Sequence, residues 1–400
     1  MIKKQLYPIT ALSFLLSITL CLTSVFAGPT AEPQKNRVSS SESVLDLEDS
    51  LLSYMESGHM PSLSVCIIKG GEVIWSKSYG YANLRQKTNA TTDTIYLAGS
   101  ISKVVTATAL MQLYEQGRFN LDDDINTYLP FNLRNPSYPD TPITIRMLLA
   151  HQSSLGNKEI LPFIFLSLLN VPNEFLQEFF TSQGKFYTPG IWRNVPPGEE
   201  AYYSSVGYDV LGYLIEQLTN QSYETYCHDH IFTPLNMHNT SSQLTNLTKN
   251  NLATPYLWLL GHYIPLPNYE IDNLCAAAGG LQTTANDLSH LMIVHMNNGT
   301  YNNIHLLNKE TIDLMHTPQF PESNRRFGFG WQFWGWHENE TSYQQGHVGE
   351  VPGGTTFMYY RSEINTGVVF CVNQYTLKRP LEFVAWLGIG RILFDMAQIL

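Results

Sequence analysis

Apolar residues set the outline of the chain. Leu45, Leu47, Leu51, Leu52 and Met55 recur at roughly helical spacing and predict a helix. Two strand-like runs follow, Leu63–Ile68 and Glu72–Tyr79, and the Gly70-Gly71 pair between them is a hairpin signal. From about residue 100 to residue 300 the pattern changes to helices and long loops. Strands return at Gln344–Val348, Thr355–Arg361 and Gly367–Val372, and Pro380 introduces a last apolar helix over Leu381–Leu400. That segment carries Glu382, Arg391 and Asp395, so it reads as a helix packed on a sheet and not as a membrane span. Strands near both ends with helices between them predict an α+β fold. One antiparallel sheet would form from the N- and C-terminal segments, flanked by helices, with an inserted and mainly helical lobe. The sheet lobe takes about 43–100 and 300–400, the helical lobe about 100–300, and no internal repeat is visible.

The first 42 residues stand outside this pattern. Lys3 and Lys4 precede an apolar stretch from about Ala11 to Phe26, and Val25-Phe26-Ala27 fits the small residues of a cleavage site. Residues 1–27 therefore read as an export signal cut after Ala27, residues 28–42 as a polar, Pro/Ser-rich linker, and 43–400 as the folded domain. An uncleaved anchor is the alternative, although Pro8 and the interspersed Thr and Ser make a poor span. Cys21 behind Ile18-Thr19-Leu20 is a weak match to a lipid-attachment site. The expected location is periplasmic or secreted, with no stable membrane span after cleavage.

Composition narrows the classes further. An apolar content of 44% with 12% aromatics in 400 residues supports a packed core and excludes a disordered chain. The balance of 23 basic against 34 acidic residues gives a formal charge of −11. Nucleic acid is excluded as a main partner, because phosphate binding needs basic clusters. Cys66, Cys227, Cys275 and Cys371 form no C-x-x-C pair and no metal-like spacing, and Cys66 and Cys371 sit in apolar strand-like runs.

The candidate chemistry begins at Tyr96-Leu-Ala-Gly-Ser-Ile-Ser-Lys-Val-Val. Ser100 and Lys103 form S-x-x-K at the head of a helical pattern ending near Gly117. Three residues apart on a helix, the two side chains share a face. A serine hydroxyl is a weak nucleophile until a nearby base takes its proton, and a desolvated, neutral lysine can be that base. The motif alone is weak: Ser182-Gln-Gly-Lys185 repeats it in what reads as a loop, and a helix-capping serine would look the same.

Two further segments change that. Pro197-Gly-Glu-Glu-Ala-Tyr-Tyr-Ser-Ser-Val-Gly-Tyr-Asp-Val-Leu-Gly resembles the second motif of the serine β-lactamase-like family, the group of class C β-lactamases, D,D-peptidases and related esterases. Gly346-His-Val-Gly-Glu resembles its third motif, in an H-x-G form in place of K-T-G. Scaffold segments at Leu121–Pro130, Ile143–Leu155, Ala278–Leu288 and Phe327–Trp331 resemble family blocks in family order, so the likeness spans about 44–375. The resemblance implies a β-lactamase/transpeptidase-like fold. It implies that Ser100 becomes the acyl-enzyme, that Lys103 and Tyr203 share the proton transfers, and that the third-motif position, His347, completes the site. It also implies an oxyanion hole from the amides of Ser100 and Glu350, with Gly349 on the strand edge and Ser205 on the substrate side.

Two departures limit the activity. Ser205 stands where the family pattern has asparagine, and His347 where many β-lactamases have lysine, which removes a permanent charge. Both fit a D,D-peptidase-like or esterase activity on small amides or esters better than a true β-lactamase. A true β-lactamase and a slowly turning-over penicillin-binding sensor are the remaining readings. The expected partner is a small-molecule or peptide substrate; no cofactor or metal is implied, and oligomeric state is not legible.

Other features have plainer readings. The apolar runs Ile160–Leu169 and Tyr256–Leu266 read either as a wall or lid of an acyl pocket or as a buried helix and loop. His228-Asp229-His230 lacks a third ligand and reads as a solvated helix end, and His151 as a structural hydrogen-bonding residue. There is no G-x-S-x-G elbow.

Overall fold

The computed structural model describes residues 44–156, 176–271, 275–323, 325–334, 344–375 and 380–400. The expected signal, the linker and the apolar run Ile160–Leu169 lie outside the described residues.

The first helix, α1 (Val44–Ser57), buries Leu47, Leu51 and Met55 along one face. It leads into β1 (Ser62–Lys69), β2 (Glu72–Asn83), β3 (Thr88–Asn89) and β4 (Tyr96–Gly99), followed by helix α2 (Ser102–Glu115). The helical part contributes α3 (Ser205–Thr219), β5 (Leu281–Thr283) and α4 (Ala285–Met296). The chain ends with β6 (Gln332–Trp334), β7 (Gln344–Val351), β8 (Gly354–Arg361), β9 (Thr366–Val372) and α5 (Pro380–Ile399).

Seven strands form one sheet in the order β6-β7-β8-β9-β1-β2-β3. Every pairing is antiparallel, and β1 joins the C-terminal strands through β9, with Val65 opposite Phe370 and Cys66 opposite Val369. The two chain ends thus build a single sheet and the fold class read from the pattern holds. The strands extend beyond the apolar runs, β7 by three residues to Val351, because pairing continues where the side chains are polar.

Both faces of the sheet are covered, which is why its central strands read as mostly apolar runs without a polar face. Leu63, Val65 and Ile67 with Phe370 and Val372 meet α1 and α5, where Leu51, Trp386 and Ile389 complete a core. The alternate residues Cys66, Ile68, Val369 and Cys371 join the larger core with α2, α3 and α4. Helix α2 is buried on nearly every side from Ser102 to Leu113, so it has no solvated face and a weak amphipathic pattern.

Tyr256–Leu266 is not the buried helix and loop of one of its two readings. It is a β-hairpin, Tyr256–Leu259 with His262–Pro265, paired to Gln374–Tyr375. Trp258 stacks on His59 at 4.1 Å and Leu260 at the tip is 86% exposed, so this run is not a buried helix or loop.

Candidate active site

Strand β4 delivers Ser100 to the first turn before α2. Gly99 has φ +52°, and a Cβ there would lie 2.9 Å from the amide nitrogen of Glu350. On the facing strand, a Cβ on Gly349 would lie 1.8 Å from the Ala98 carbonyl oxygen. Only the two glycines let β4 and β7 meet this closely, and the contact sets the Glu350 amide beside the residue preceding Ser100. The buried Ser102 hydroxyl pins the turn by donating to the Gly99 carbonyl at 2.8 Å and accepting from the Leu281 amide at 3.0 Å. Ser100 itself caps nothing; the residue at the cap position is Ile101.

Lys103 is 0% exposed, with Nζ 3.1 Å from Ser100 Oγ. The same nitrogen donates to the Ala278 carbonyl at 2.6 Å and lies 5.0 Å from the ring centre of Tyr203. Burial pulls its proton affinity down to about pKa 7, against the pull of Asp209 and Cys275. At neutral pH a large share of Lys103 is therefore the free base, which an exposed lysine almost never is.

Tyr203 stands in the extended segment before α3, a helix capped by the Ser204 side chain accepting from the Gly207 amide at 3.1 Å. His151 holds that segment: its carbonyl accepts from the Tyr202 amide at 2.8 Å and its Nδ1 from the Ser204 amide at 3.1 Å. Its ring packs 4.5 Å from the Tyr203 ring. Burial raises the Tyr203 pKa, and the Asp209 and Glu350 carboxylates act in the same direction, while a hydrogen bond with Ser100 opposes them.

His347 reaches the site from β7, 1% exposed. Its Nδ1 is 2.8 Å from the Val348 carbonyl, which can only accept, so Nδ1 carries the proton and Nε2 is left as the acceptor. Nε2 faces the Tyr203 hydroxyl at 3.4 Å and the Gln332 amide nitrogen at 3.3 Å. Burial, then Lys103, depresses its pKa to about 3, so the ring is neutral at physiological pH.

Ser100, Lys103, Tyr203 and His347 thus converge, with Gly349 and Glu350 on the adjoining strand edge. Ser205 begins α3, two residues beyond Tyr203, and is half-buried. Ser182 and Lys185, the second copy of the motif, lie in a turn segment before the short helical turn Pro189–Ile191. His228 pairs with Asp229 at 2.8 Å on the exposed surface, and no cluster able to hold a metal ion occurs among the described residues. Asp209 and Gln332 were not singled out from the sequence. Asp209 left a signal there, as the one charge inside the apolar run Val206–Ile215.

A serine hydroxyl, a desolvated lysine and a half-buried tyrosine around one glycine-lined strand edge form a site of penicillin-recognising architecture. A Beta-lactamase family profile matches residues 47–387, and the chain belongs to that family. Among solved structures, the octameric penicillin-binding protein homologue from Pyrococcus abyssi superimposes with a TM-score of 0.71 at 26% identity, covering 87% of this chain and 78% of that one. The penicillin binding protein from Bacillus halodurans shares the fold with a TM-score of 0.65 at 22% identity, over 86% of this chain and 98% of that one. Protein flp of Staphylococcus aureus (strain MW2) is 28% identical over 320 residues, 80% of this chain but 61% of the relative. The chain thus spans under two thirds of that relative's length. A putative D-alanyl-D-alanine carboxypeptidase of Escherichia coli (strain K12) is 27% identical over 310 residues, 68% of each chain.

Proposed function

We propose that the protein is an exported acyl-transfer hydrolase that acts through an acyl-enzyme on Ser100, with D,D-peptidase-like or esterase activity on small amides or esters. The observation that carries this reading is the 3.1 Å approach of a fully buried Lys103 amine to the Ser100 hydroxyl. The free amine takes the Ser100 proton as Oγ bonds to the substrate carbonyl carbon. The oxyanion that forms is received by the amides of Ser100 and Glu350. The carbon–leaving-group bond then breaks, and Tyr203 passes a proton to the departing nitrogen or oxygen. Water repeats the cycle on the acyl-enzyme and releases the acid.

The neutral His347 ring supports an esterase over a β-lactamase. Where a K-T-G lysine would meet a substrate carboxylate with a full charge, this site offers an imidazole acceptor. The Glu350 carboxylate, whose charge acts on Tyr203, adds negative charge to the site. The name carried by the Escherichia coli relative supports a peptidase. Export rests on the N-terminal charge and hydropathy pattern; no described helix is long and apolar enough to cross a membrane.

Purified protein would be given short and long nitrophenyl esters, a D-Ala-D-Ala peptide and a chromogenic cephalosporin, beside its Ser100→Ala variant. The expected result is turnover of esters or peptide exceeding that of the cephalosporin, abolished in the variant together with fluorophosphonate labelling. Rapid cephalosporin turnover would make it a β-lactamase, and a stable one-to-one penicillin adduct without turnover a binding sensor. Activity retained by Ser100→Ala would overturn the mechanism.

A further inference from the structure

Asp209 is a carboxylic acid inside an apolar stretch of α3 and is 4% exposed. One of its oxygens, Oδ1, accepts from the Ala278 amide at 3.1 Å. The carbonyl of that same Ala278 accepts from Lys103 Nζ at 2.6 Å. A single backbone residue thus ties the acid to the amine. The second oxygen, Oδ2, is buried without a hydrogen-bond partner, so hydrogen bonding satisfies only half of the group. Burial pushes the Asp209 pKa well above the usual carboxylate range, and Lys103 and the Ala278 amide pull it back down; a carboxylate so placed is costly unless a cation shares its environment.

The other groups facing Lys103 do not supply a negative charge at neutral pH. His151 and His347 are neutral rings whose protonation Lys103 opposes. Tyr203 and Tyr208, whose ring centres lie 5.0 and 5.8 Å from Nζ, have their pKa values raised by burial. Cys275 carries a buried thiol outside any disulfide among the described residues. Among the described residues, Asp209 is therefore the one carboxylic acid whose charge acts on Lys103.

We propose that Asp209 is the positioning residue for Lys103: through Ala278 it aligns the amine with Ser100 and stabilises the ammonium formed when Lys103 takes the Ser100 proton. The role rests on the reading of Lys103 as the proton acceptor. In that step the Ser100 O–H bond breaks and a Lys103 N–H bond forms, so the new positive charge appears beside the acid. The proton then leaves with the departing group by way of Tyr203, and Asp209 is unchanged at the end of the cycle.

Removing the charge should make Lys103 a weaker base. It would reach its free form at lower pH and drive the Ser100 proton transfer less strongly. Asp209→Asn and Asp209→Ser are therefore expected to move the acid limb of the kcat/KM profile down by about one pH unit or more. The plateau rate should fall by about tenfold or more, with Asp209→Glu restoring most of the limb position. The pH dependence of fluorophosphonate labelling at Ser100 should shift in parallel, since it reports the same proton transfer without a leaving group to protonate.

Melting curves establish which variants are folded. A folded Asp209→Asn or Asp209→Ser with its acid limb unmoved would overturn the proposal and mark Asp209 as a packing residue, however much its rate had dropped. Failure of all three variants to fold would overturn it in the same way. Should Ser100→Ala retain turnover, the acyl-enzyme reading itself fails, whatever the Asp209 variants do.

Discussion

The Tyr203 hydroxyl lies 3.4 Å from Nε2 of His347, whose other ring nitrogen is committed to the Val348 carbonyl at 2.8 Å. That second contact fixes the tautomer, so the histidine meets the tyrosine as a neutral acceptor and not as an acid. A lysine here would lower the pKa of the phenol through its charge; a neutral ring cannot. Tyr203 therefore stays protonated in the resting site, suited to donating a proton to a leaving group.

Leaving-group chemistry tests this. Tyr203→Phe should lower kcat for alkyl esters and amides by about 100-fold to 1000-fold, because alkoxide and amide ions must be protonated as they depart. Nitrophenolate leaves without a proton, so the same variant should lose less than about tenfold on nitrophenyl esters. Equal losses on both series would place Tyr203 in substrate binding.

The pH profile should follow Lys103. Its amine works as a base only when unprotonated, and its pKa is about 7. Activity should therefore rise as pH increases through about 7 and level off above it. Lys103→Arg keeps a cation that does not titrate in this range. The variant should lose about 100-fold or more in kcat/KM and show no limb near neutrality, as read from initial rates between pH 5 and 9.

The strand edge makes a separate prediction. A methyl group on Gly349 would collide with the Ala98 carbonyl, forcing β4 and β7 apart next to the Glu350 amide. Gly349→Ala should cost about 100-fold or more in kcat, the scale of losing one oxyanion donor, with a smaller change in KM. Full acylation rates in a folded Gly349→Ala protein would remove the Glu350 amide from the mechanism.

Acid should destabilise the fold through buried histidines. His295 Nδ1 is 3.1 Å from His316 Nε2, and His316 Nδ1 is 2.7 Å from the Gln345 side chain, in a chain running beneath β7. Burial depresses His316 from its usual 6.5 to about 4 and His347 to about 3, with His151 and His295 also well below 6.5. Above pH 6.5 neither folded nor unfolded chain protonates these rings, and they leave stability independent of pH. As pH falls from 6.5 towards 4 the unfolded chain takes up protons that the folded one refuses, so stability drops. At pH 5 the loss is about 2 kcal/mol each for His316 and His347. Urea midpoints measured from pH 7.5 to 5 should fall accordingly, and His316→Gln should flatten the slope.

Much of this molecule was legible in one dimension. Burial on both faces of the sheet leaves mostly apolar runs at Leu63–Ile68, broken only by Ser64, and at Gly367–Val372, so the strands and their layering follow from hydropathy alone. The S-x-x-K spacing depends only on helix geometry, so the neighbouring side chains of Ser100 and Lys103 were also local information. The hairpin at Tyr256–Leu266 was not legible, because a short apolar run with Gly261 between its halves fits a buried loop as well as a strand pair.

Long-range placement was decided only in three dimensions. Lys103 has no unusual neighbours in sequence; its lowered pKa comes from burial by segments a hundred residues or more away, among them Ala278 and Tyr203. The His347 tautomer depends on the path of its own strand, and the link from Asp209 to Lys103 on a backbone residue of neither helix. Pattern along a chain records which residues are hidden from water and with what period. It does not record which distant groups share the hidden space, and desolvation and charge act there over distance without regard to sequence order.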